Sequence, residues 1–319
     1  MTAEPIRYLS RADVEALGLA PLEVVDILEA AFRAKRAGDV EMPPKVGVHP
    51  RDDAFIHAMP AYLADTDAVG LKWVAGYPSN QPLGIPYIHG LFVLSDAATG
   101  RPLAVMDATW ITEVRTAAAS ILGIRGLVDR PVESLGIIGC GRQGHVHLEL
   151  AEQVFPSLRR ARLFDRHRDR AEALAAAHSK LEVEVASTAE EIAPGANVIV
   201  STAAIVRQPE RPLRREHLRD AMVACAVDFD ATLSEDLFED AGMFVVDDVA
   251  QYRYYRQQGY FAGYPADALE LAEVLADKAP KMTGLKVYVP LGIALEDVAV
   301  AAEINRRAAD AGLGRLLPL

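Results

Sequence analysis

Apolar residues recur along this chain with two different periods, and the switch between them divides it. Between Pro21 and Gly38, the residues Val24, Ile27, Leu28, Ala31 and Phe32 fall near one face of a helix that Gly38 would close. Four short runs follow, at 45–49, 54–59, 69–75 and 88–94, each rich in β-forming residues and bounded by turn residues. Thr99-Gly100 turns the chain into a fifth run at 103–106. Sequential strands without helices between them predict a mostly antiparallel sheet, a unit of its own. Residues 109–128 read as a long connecting helix carrying Ala117, Ala118, Ile121, Leu122 and Ile124.

From there strand and helix patterns alternate. Strands are predicted at 135–138, 161–164, 182–185, 197–202, 222–227, 243–246 and 285–289. Helices are predicted behind residue 144, at 170–180, 189–192, around 215–218, near 249–257 and 266–276, and at 294–311. Such alternation predicts a doubly wound parallel sheet. Its first strand runs into Gly139-Cys-Gly-Arg-Gln-Gly144, which fits G-x-G-x-x-G between a strand and a helix. Gly139 would make the tight turn, Gly141 would let a pyrophosphate approach the backbone, and Gly144 would let the helix pack on the strand. The second strand ends in Asp165, twenty-six residues past Gly139, where an acid meets the adenosine ribose hydroxyls. An ordinary glycine-rich turn is the plainer alternative. The fold class expected is α/β. A Rossmann dinucleotide-binding domain spans 116–292, and an α+β substrate and dimerisation domain spans 1–115. A C-terminal helix segment, 293–319, packs back on the first domain to bury Leu295, Val298 and Ile304.

Composition narrows the partners. The formal net charge is −12 and no basic stretch is interleaved with aromatic residues, so nucleic acid is not an expected partner. The basic clusters 166–170 and 211–215 read as solvated faces. No apolar run reaches membrane-spanning length, and Met-Thr-Ala-Glu-Pro has no signal pattern, so no membrane partner and a cytoplasmic location are expected. Cys140 and Cys225 are then free thiols, and the scattered histidines form no metal set.

Three residues stand out for chemistry. In Gly70-Leu-Lys-Trp-Val-Ala-Gly-Tyr77, alternation puts Leu71, Trp73 and Ala75 on one face and Lys72 with Val74 on the other. A lysine there either snorkels to an edge or has a buried anionic partner. Arg115 precedes the alanine-rich part of the connecting helix, where a purely structural arginine is equally at home. Asp228 follows the strand at 222–227, at the carboxyl end of the sheet where α/β folds place ligands, with Asp230 as a rival. Cations gathered near a nicotinamide ask for an anionic substrate, and a carboxylate there could move its proton.

Met42-Pro-Pro, Met59-Pro, Gly70-Leu-Lys-Trp-Val-Ala-Gly-Tyr-Pro-Ser-Asn80, Asp96-Ala-Ala-Thr-Gly-Arg-Pro-Leu-Ala-Val105, Arg115-Thr-Ala-Ala, Gly139-Cys-Gly-Arg-Gln143, Val227-Asp228 and Leu291-Gly-Ile-Ala-Leu-Glu-Asp297 together resemble the ornithine cyclodeaminase/mu-crystallin family. The resemblance implies a homodimer formed through the N-terminal sheet and a bound NAD or NADP. It implies that Lys72 and Arg115 hold the substrate carboxylate or adjacent nitrogen, and that Asp228 is the acid/base, so Asp228 and Lys72 are the catalytic pair expected. Lys45, Tyr87 and Gly292 would join Lys72 and Arg115 around the substrate. The cofactor set implied is Gly139, Gly141, Arg142, Gln143, Gly144, Asp165, Arg166, Thr202, Val227 and Leu291, with Arg115.

Departures from the family bear on the substrate. Lys45 stands where the family often has an arginine, and it cannot form a bidentate fork. Tyr87 stands where ornithine cyclodeaminases have threonine. The stretch Asp228-Phe-Asp-Ala-Thr-Leu-Ser-Glu-Asp236 lacks the usual proline and lysine. The expectation is therefore an NAD(P)-dependent oxidoreductase acting on the Cα–N bond of a small amino, imino or keto acid. A cyclodeaminase with catalytic NAD is the first alternative, and a non-catalytic mu-crystallin-like binding protein the second. The carboxylate of Asp165 favours NAD(H), while Arg166 and Arg168 leave NADP(H) open.

Overall fold

The computed structural model describes residues 4–276 and 284–319. In chain order the strands and helices are β1 (Ile6–Leu9), α1 (Arg11–Ala16), α2 (Pro21–Ala37), β2 (Val40–Glu41), β3 (Val46–Val48), β4 (Phe55–Leu63), β5 (Ala68–Gly76), β6 (Ile88–Asp96), β7 (Pro102–Asp107), α3 (Thr109–Leu127), β8 (Ser134–Ile138), α4 (Arg142–Val154), β9 (Arg160–Phe164), α5 (Arg168–Ala177), β10 (Glu182–Val185), β11 (Val198–Ser201), β12 (Val223–Ala226), β13 (Met243–Val246), α6 (Val249–Gln257), β14 (Leu269–Glu270), α7 (Leu271–Ala276), β15 (Lys286–Val289), α8 (Ala294–Ala311) and β16 (Arg315–Leu317). They form two units, one of Met1–Arg115 with Gly292–Leu319, the other Thr116–Leu291.

The first unit is a sheet in the order β16-β1-β7-β6-β5-β4-β2, with β3 also on β4. Its strand pairs β4–β5, β5–β6 and β6–β7 are antiparallel; short turns join the first and third, and a longer segment with a 3-10 turn at Pro78–Leu83 joins the second. One face lies under α8, which also packs on α2. That face carries Met59, Ala61, Leu63, Phe92 and Leu94. Along α8 the buried residues Leu295, Val298, Val300, Ala301, Ile304 and Ala308 supply the apolar stripe. α2 ends at Gly38, which takes the left-handed φ of 85° that a C-cap needs. The opposite face keeps Leu71, Trp73 and Leu91 exposed, with Trp73 directly across from Leu91.

The second unit is an all-parallel sheet in the order β10-β9-β8-β11-β12-β15-β13-β14. Its central strands are buried along their whole length, as strands covered on both faces must be. From β8 the chain winds outward through β9 and β10, then returns to place β11 on the other side of β8, so the topological switch lies between β8 and β11. Two expectations are corrected here. The helix expected over 266–276 is confined to Leu271–Ala276, preceded by the two-residue strand β14 beside β13. The helices expected at 189–192 and 215–218 are single 3-10 turns, Glu190–Ile192 and Arg215–His217. Among the described residues no helix is long and apolar enough to cross a membrane.

Candidate active site

The three glycines after β8 do three separate jobs. Gly139 has φ 89°, and a Cβ there would sit 2.7 Å from the carbonyl oxygen of Thr202 on the neighbouring strand end. A Cβ on Gly144 would lie 2.3 Å from the Gly139 oxygen, so only glycine lets α4 start this close to β8. A Cβ on Gly141 would meet nothing within 4 Å. Steric crowding inside the chain therefore explains Gly139 and Gly144 but leaves Gly141 unexplained, unless something outside the chain approaches it. Gly141 is also the N-cap of α4, with no side chain capping the first turn that carries Arg142 and Gln143. A cradle at a helix N-terminus, at the switch point of a parallel sheet, fits the pyrophosphate of a dinucleotide.

The rim of this cradle is stitched together by hydrogen bonds. The Thr202 amide donates to Ile138 O at 2.7 Å, and its hydroxyl donates to Gly139 O at 2.7 Å. Thr202 thus shapes the loop with both its groups. Asp165 accepts from the Cys140 amide and the His167 amide, each at 2.8 Å, which anchors the end of β9 to the glycine loop. Burial pushes the Cys140 thiol up to about 12, so it is an inert filler of the turn. Arg166 is exposed beside Asp165, and Arg168 pairs with Glu172 at 2.9 Å. Val227 donates its amide to Ser201 O at 2.9 Å, and Leu291 is buried in the core of this unit.

Asp228 follows β12 and is only 1% exposed. It accepts from the Ser201 hydroxyl at 2.7 Å, the Thr232 hydroxyl at 2.6 Å and the Ala203 amide at 3.2 Å. Burial raises its pKa, and these donors oppose the rise. Asp230 faces other partners. Its carboxylate takes the Arg211 guanidinium at 2.5 Å and the Phe261 amide at 3.0 Å. The basic cluster 211–215 is therefore not wholly a solvated face, since Arg211 is drawn in by Asp230. Arg211, Phe229 and Phe261 all adopt left-handed φ, at 51°, 62° and 61°. Each costs about 1–3 kcal/mol of backbone strain, held here by the ion pair and by the packing of Phe229 on Tyr255 and Phe261.

In the first unit, the sheet face under α8 holds a buried charged cluster. Lys72 on β5 is fully buried and donates to Asp297 Oδ1 at 2.7 Å. The same oxygen lies 3.2 Å from Arg115 Nε, and Arg115 Nη1 donates to Glu296 at 2.6 Å. Lys45 donates to Gly292 O at 2.9 Å. Gly292 has φ 71°, and a Cβ there would strike Arg115 Nη1 at 2.6 Å, so this glycine makes room for the guanidinium. Burial, then the Arg115 charge, pushes Lys72 down to about 8 against the pull of Asp297. Burial chiefly, helped by Asp297, raises Glu296 against the pull of Arg115. The cations are thus buried and already paired internally. Glu296 and Asp297 had no role in the sequence reading, although the acids of an apolar helix were the available counterions for a buried lysine. Tyr87 is half-buried, its carbonyl accepting the Tyr77 amide beside the Gly76 end of β5. Among the described residues no cluster of three or more metal-ligating side chains occurs.

A glycine cradle at the switch point of a parallel sheet, in a chain that carries a buried lysine–arginine cluster on a second sheet, defines a dinucleotide-binding α/β protein. The chain belongs to the ornithine cyclodeaminase/mu-crystallin family, whose profile matches residues 7–312. It is 34% identical to the nodulation efficiency protein NfeD of Rhizobium meliloti over 98% of each chain. Its fold is similar to Thermococcus litoralis Δ1-pyrroline-2-carboxylate reductase in complex with NADH and L-proline, with TM-score 0.85 at 26% identity, covering 97% of this chain and 99% of that one. It is likewise similar to an archaeal alanine dehydrogenase dimer with bound NAD, with TM-score 0.85 at 28% identity and 98% coverage of both chains.

Proposed function

We propose that the protein is an NAD(P)-dependent oxidoreductase acting at the Cα–N bond of an amino or imino acid. The observation that carries this reading is the open backbone at Gly141, a cradle that internal packing does not require, in a chain that also buries Lys72 and Arg115. When bound, the nicotinamide would supply or accept the hydride. In the reducing direction the imine carbon takes the hydride, the C=N electron pair moves to nitrogen, and nitrogen takes a proton, which leaves an amino acid. Lys72 and Arg115, oriented by Asp297 and Glu296, hold the substrate carboxylate, with Lys45, Tyr87 and Gly292 around it. Asp228, whose raised pKa keeps a proton within its reach, is the acid/base. Gly139, Gly141, Arg142, Gln143, Gly144, Asp165, Arg166, Thr202, Val227 and Leu291, with Arg115, hold the dinucleotide. NAD(H) is favoured by the carboxylate of Asp165, which repels a 2′-phosphate.

A homodimer forms through the outer face of the first sheet. Support comes from the exposed Leu71, Trp73 and Leu91 on adjacent strands, an apolar surface that monomers rarely leave bare. The experiment that tests the enzymatic reading pairs two incubations. With NADH and an imino acid, or a keto acid plus an amine, stoichiometric NADH oxidation is expected. With ornithine and substoichiometric NAD, little or no proline is expected. Many turnovers of proline per NAD, with no accumulated NADH, would replace the reductase with a cyclodeaminase.

A further inference from the structure

The buried carboxylate of Asp228 is held by hydroxyls and an amide rather than by a cation. Its Oδ1 takes the Ser201 hydroxyl, and its Oδ2 takes both the Thr232 hydroxyl and the Ala203 amide. Ser201 and Thr232 are themselves buried. The ionisable neighbours Cys225 and Tyr264 are kept protonated, chiefly by burial. Asp230 and Arg211, in the adjoining turn, are paired with each other.

Thr232 reaches back to Asp228 because the chain reverses between them. The Ala231 amide donates to Asp228 O at 3.1 Å and closes a turn over 228–231. Its φ is positive at Phe229 and not at Asp230, the sign pattern of a type II′ turn, where glycine is usual. A phenylalanine there works against local preference, and contacts from two other segments surround the turn. The Arg211 amide donates to Ala231 O and the Leu213 amide to Thr232 O, at 3.1 and 3.0 Å. The Tyr264 hydroxyl donates to Leu233 O at 2.7 Å. What this turn delivers to Asp228 is the Thr232 hydroxyl, 2.6 Å from Oδ2.

A hydroxyl can donate or accept by rotating its hydrogen, whereas an amide or an ammonium can only donate. Fixed donors alone would hold Asp228 as a base. Oδ2, beside the Ala203 amide, is the poorer seat for a proton, and Oδ1 has a partner that can turn to accept one. We infer that Ser201 and Thr232 are positioning residues for proton transfer by Asp228: Thr232 fixes Oδ2, and Ser201 lets Oδ1 gain and lose the proton that the substrate nitrogen takes. This rests on the reductase reading above, in which Asp228 is the acid/base. In the reducing direction the Oδ1–H bond breaks and leaves its electron pair on oxygen. The N–H bond forms on the nitrogen that received the C=N pair. The Ser201 hydroxyl then turns to donate to the new carboxylate, while Thr232 donates throughout.

The test compares wild type, Ser201→Ala, Thr232→Val, Thr232→Ser and Asp228→Asn, with thermal melts as a folding check. The kcat is measured with saturating NADH and either the methylamine imine of pyruvate or Δ1-piperideine-2-carboxylate, and NADH affinity by calorimetry. Protonation is followed without cofactor, from the infrared carbonyl stretch of the Asp228 carboxyl, which Asp228→Asn lacks. Thr232→Val should lower kcat about tenfold and Ser201→Ala about 10²-fold, the span for one hydrogen bond to a charged group. Ser201→Ala is the more severe because Oδ1 loses its hydroxyl partner, while Oδ2 keeps the Ala203 amide. NADH affinity should stay within about twofold. In both variants the stretch should persist to about one pH unit higher, because the carboxylate has lost a donor. Thr232→Ser should restore both readouts. If kcat and the infrared titration are unmoved in Ser201→Ala and Thr232→Val while Asp228→Asn is slow, the hydroxyls only support the turn, the inference is overturned and the reductase reading stands. A Thr232→Val more damaged in kcat than Ser201→Ala overturns it too. If Asp228→Asn turns over like wild type, or no imine turns over at all, the reading of Asp228 falls and the inference with it. Should Thr232→Val fail to fold, Thr232→Ala takes its place, and an unmoved infrared titration in that variant overturns the inference.

Discussion

Gly141→Val should separate cofactor binding from folding. Gly141 has φ −78° and ψ −162°, an extended conformation that valine favours, and its Cβ direction is clear of neighbours for 4 Å. The fold therefore tolerates the substitution, and the melting temperature should move by no more than about 2 °C, less than ~1 kcal/mol for a chain of this size. The isopropyl group stands where a pyrophosphate must approach the start of α4. Each backbone hydrogen bond to a charged group is worth about 1.5–3 kcal/mol. Losing two costs about 3–6 kcal/mol, and the Kd for NADH should rise by roughly 10²–10⁴. Gly144→Ala is the contrast, because its Cβ would strike Gly139 O at 2.3 Å with backbone on both sides. That variant should lose both binding and thermal stability. Calorimetric titration with NADH and a melting curve on each variant decide the matter. Unchanged NADH affinity in Gly141→Val would refute the cradle, and a melt as damaged as that of Gly144→Ala would refute the steric reasoning.

Asp228→Asn should lower kcat by roughly 10²–10⁴ with NADH affinity unchanged, whereas Asp230→Asn should show its effect as about 3 kcal/mol of lost stability through the Arg211 pair. The reverse pattern in kinetics and denaturant melts would exchange their roles. A higher kcat/KM with NADH than with NADPH is expected from Asp165, and a clear NADPH preference would show that Arg166 turns to a 2′-phosphate. Lys72 titrates near 8 when folded and 10.5 in its ordinary state, so between those values the unfolded chain holds the extra proton. Its contribution to stability should rise by about 1.4 kcal/mol per pH unit across that window. Subtracting the pH–stability curve of Lys72→Met should isolate this slope, and parallel curves would show that the lysine is not so depressed.

What sequence could reveal depended on the range of the interaction. Lys72 was legible as a residue out of place because a two-residue period sorts Leu71 and Trp73 from Lys72 and Val74 locally. Its partner was not, because Asp297 lies 225 residues away and meets it only when α8 lies on β5. The glycine loop and the strand before Asp228 were readable because each is a short apolar run with its turn chemistry attached. β1 was not, since four residues cannot display a period, and its pairing with β7 is parallel and remote. The left-handed φ of Phe229 contradicts local preference, and it is accompanied by the packing of its ring on Tyr255, Tyr260 and Phe261 and by the Asp230–Arg211 pair next to it, none of which a local reading shows. The helix expected over 266–276 starts late because pairing with β13 claims Leu269 and Glu270.

The chain has two tryptophans, and they report on different surroundings. Trp110 is 8% exposed, while Trp73, standing across from Leu91 on the open face of the first sheet, is 50% exposed. The emission colour of the protein is therefore set by whatever lies on that face. A covered Trp73 shifts the spectrum to shorter wavelength and a bare one to longer wavelength, while Trp110 provides a fixed background. A dilution series read in a fluorimeter turns this single residue into a label-free gauge of self-association.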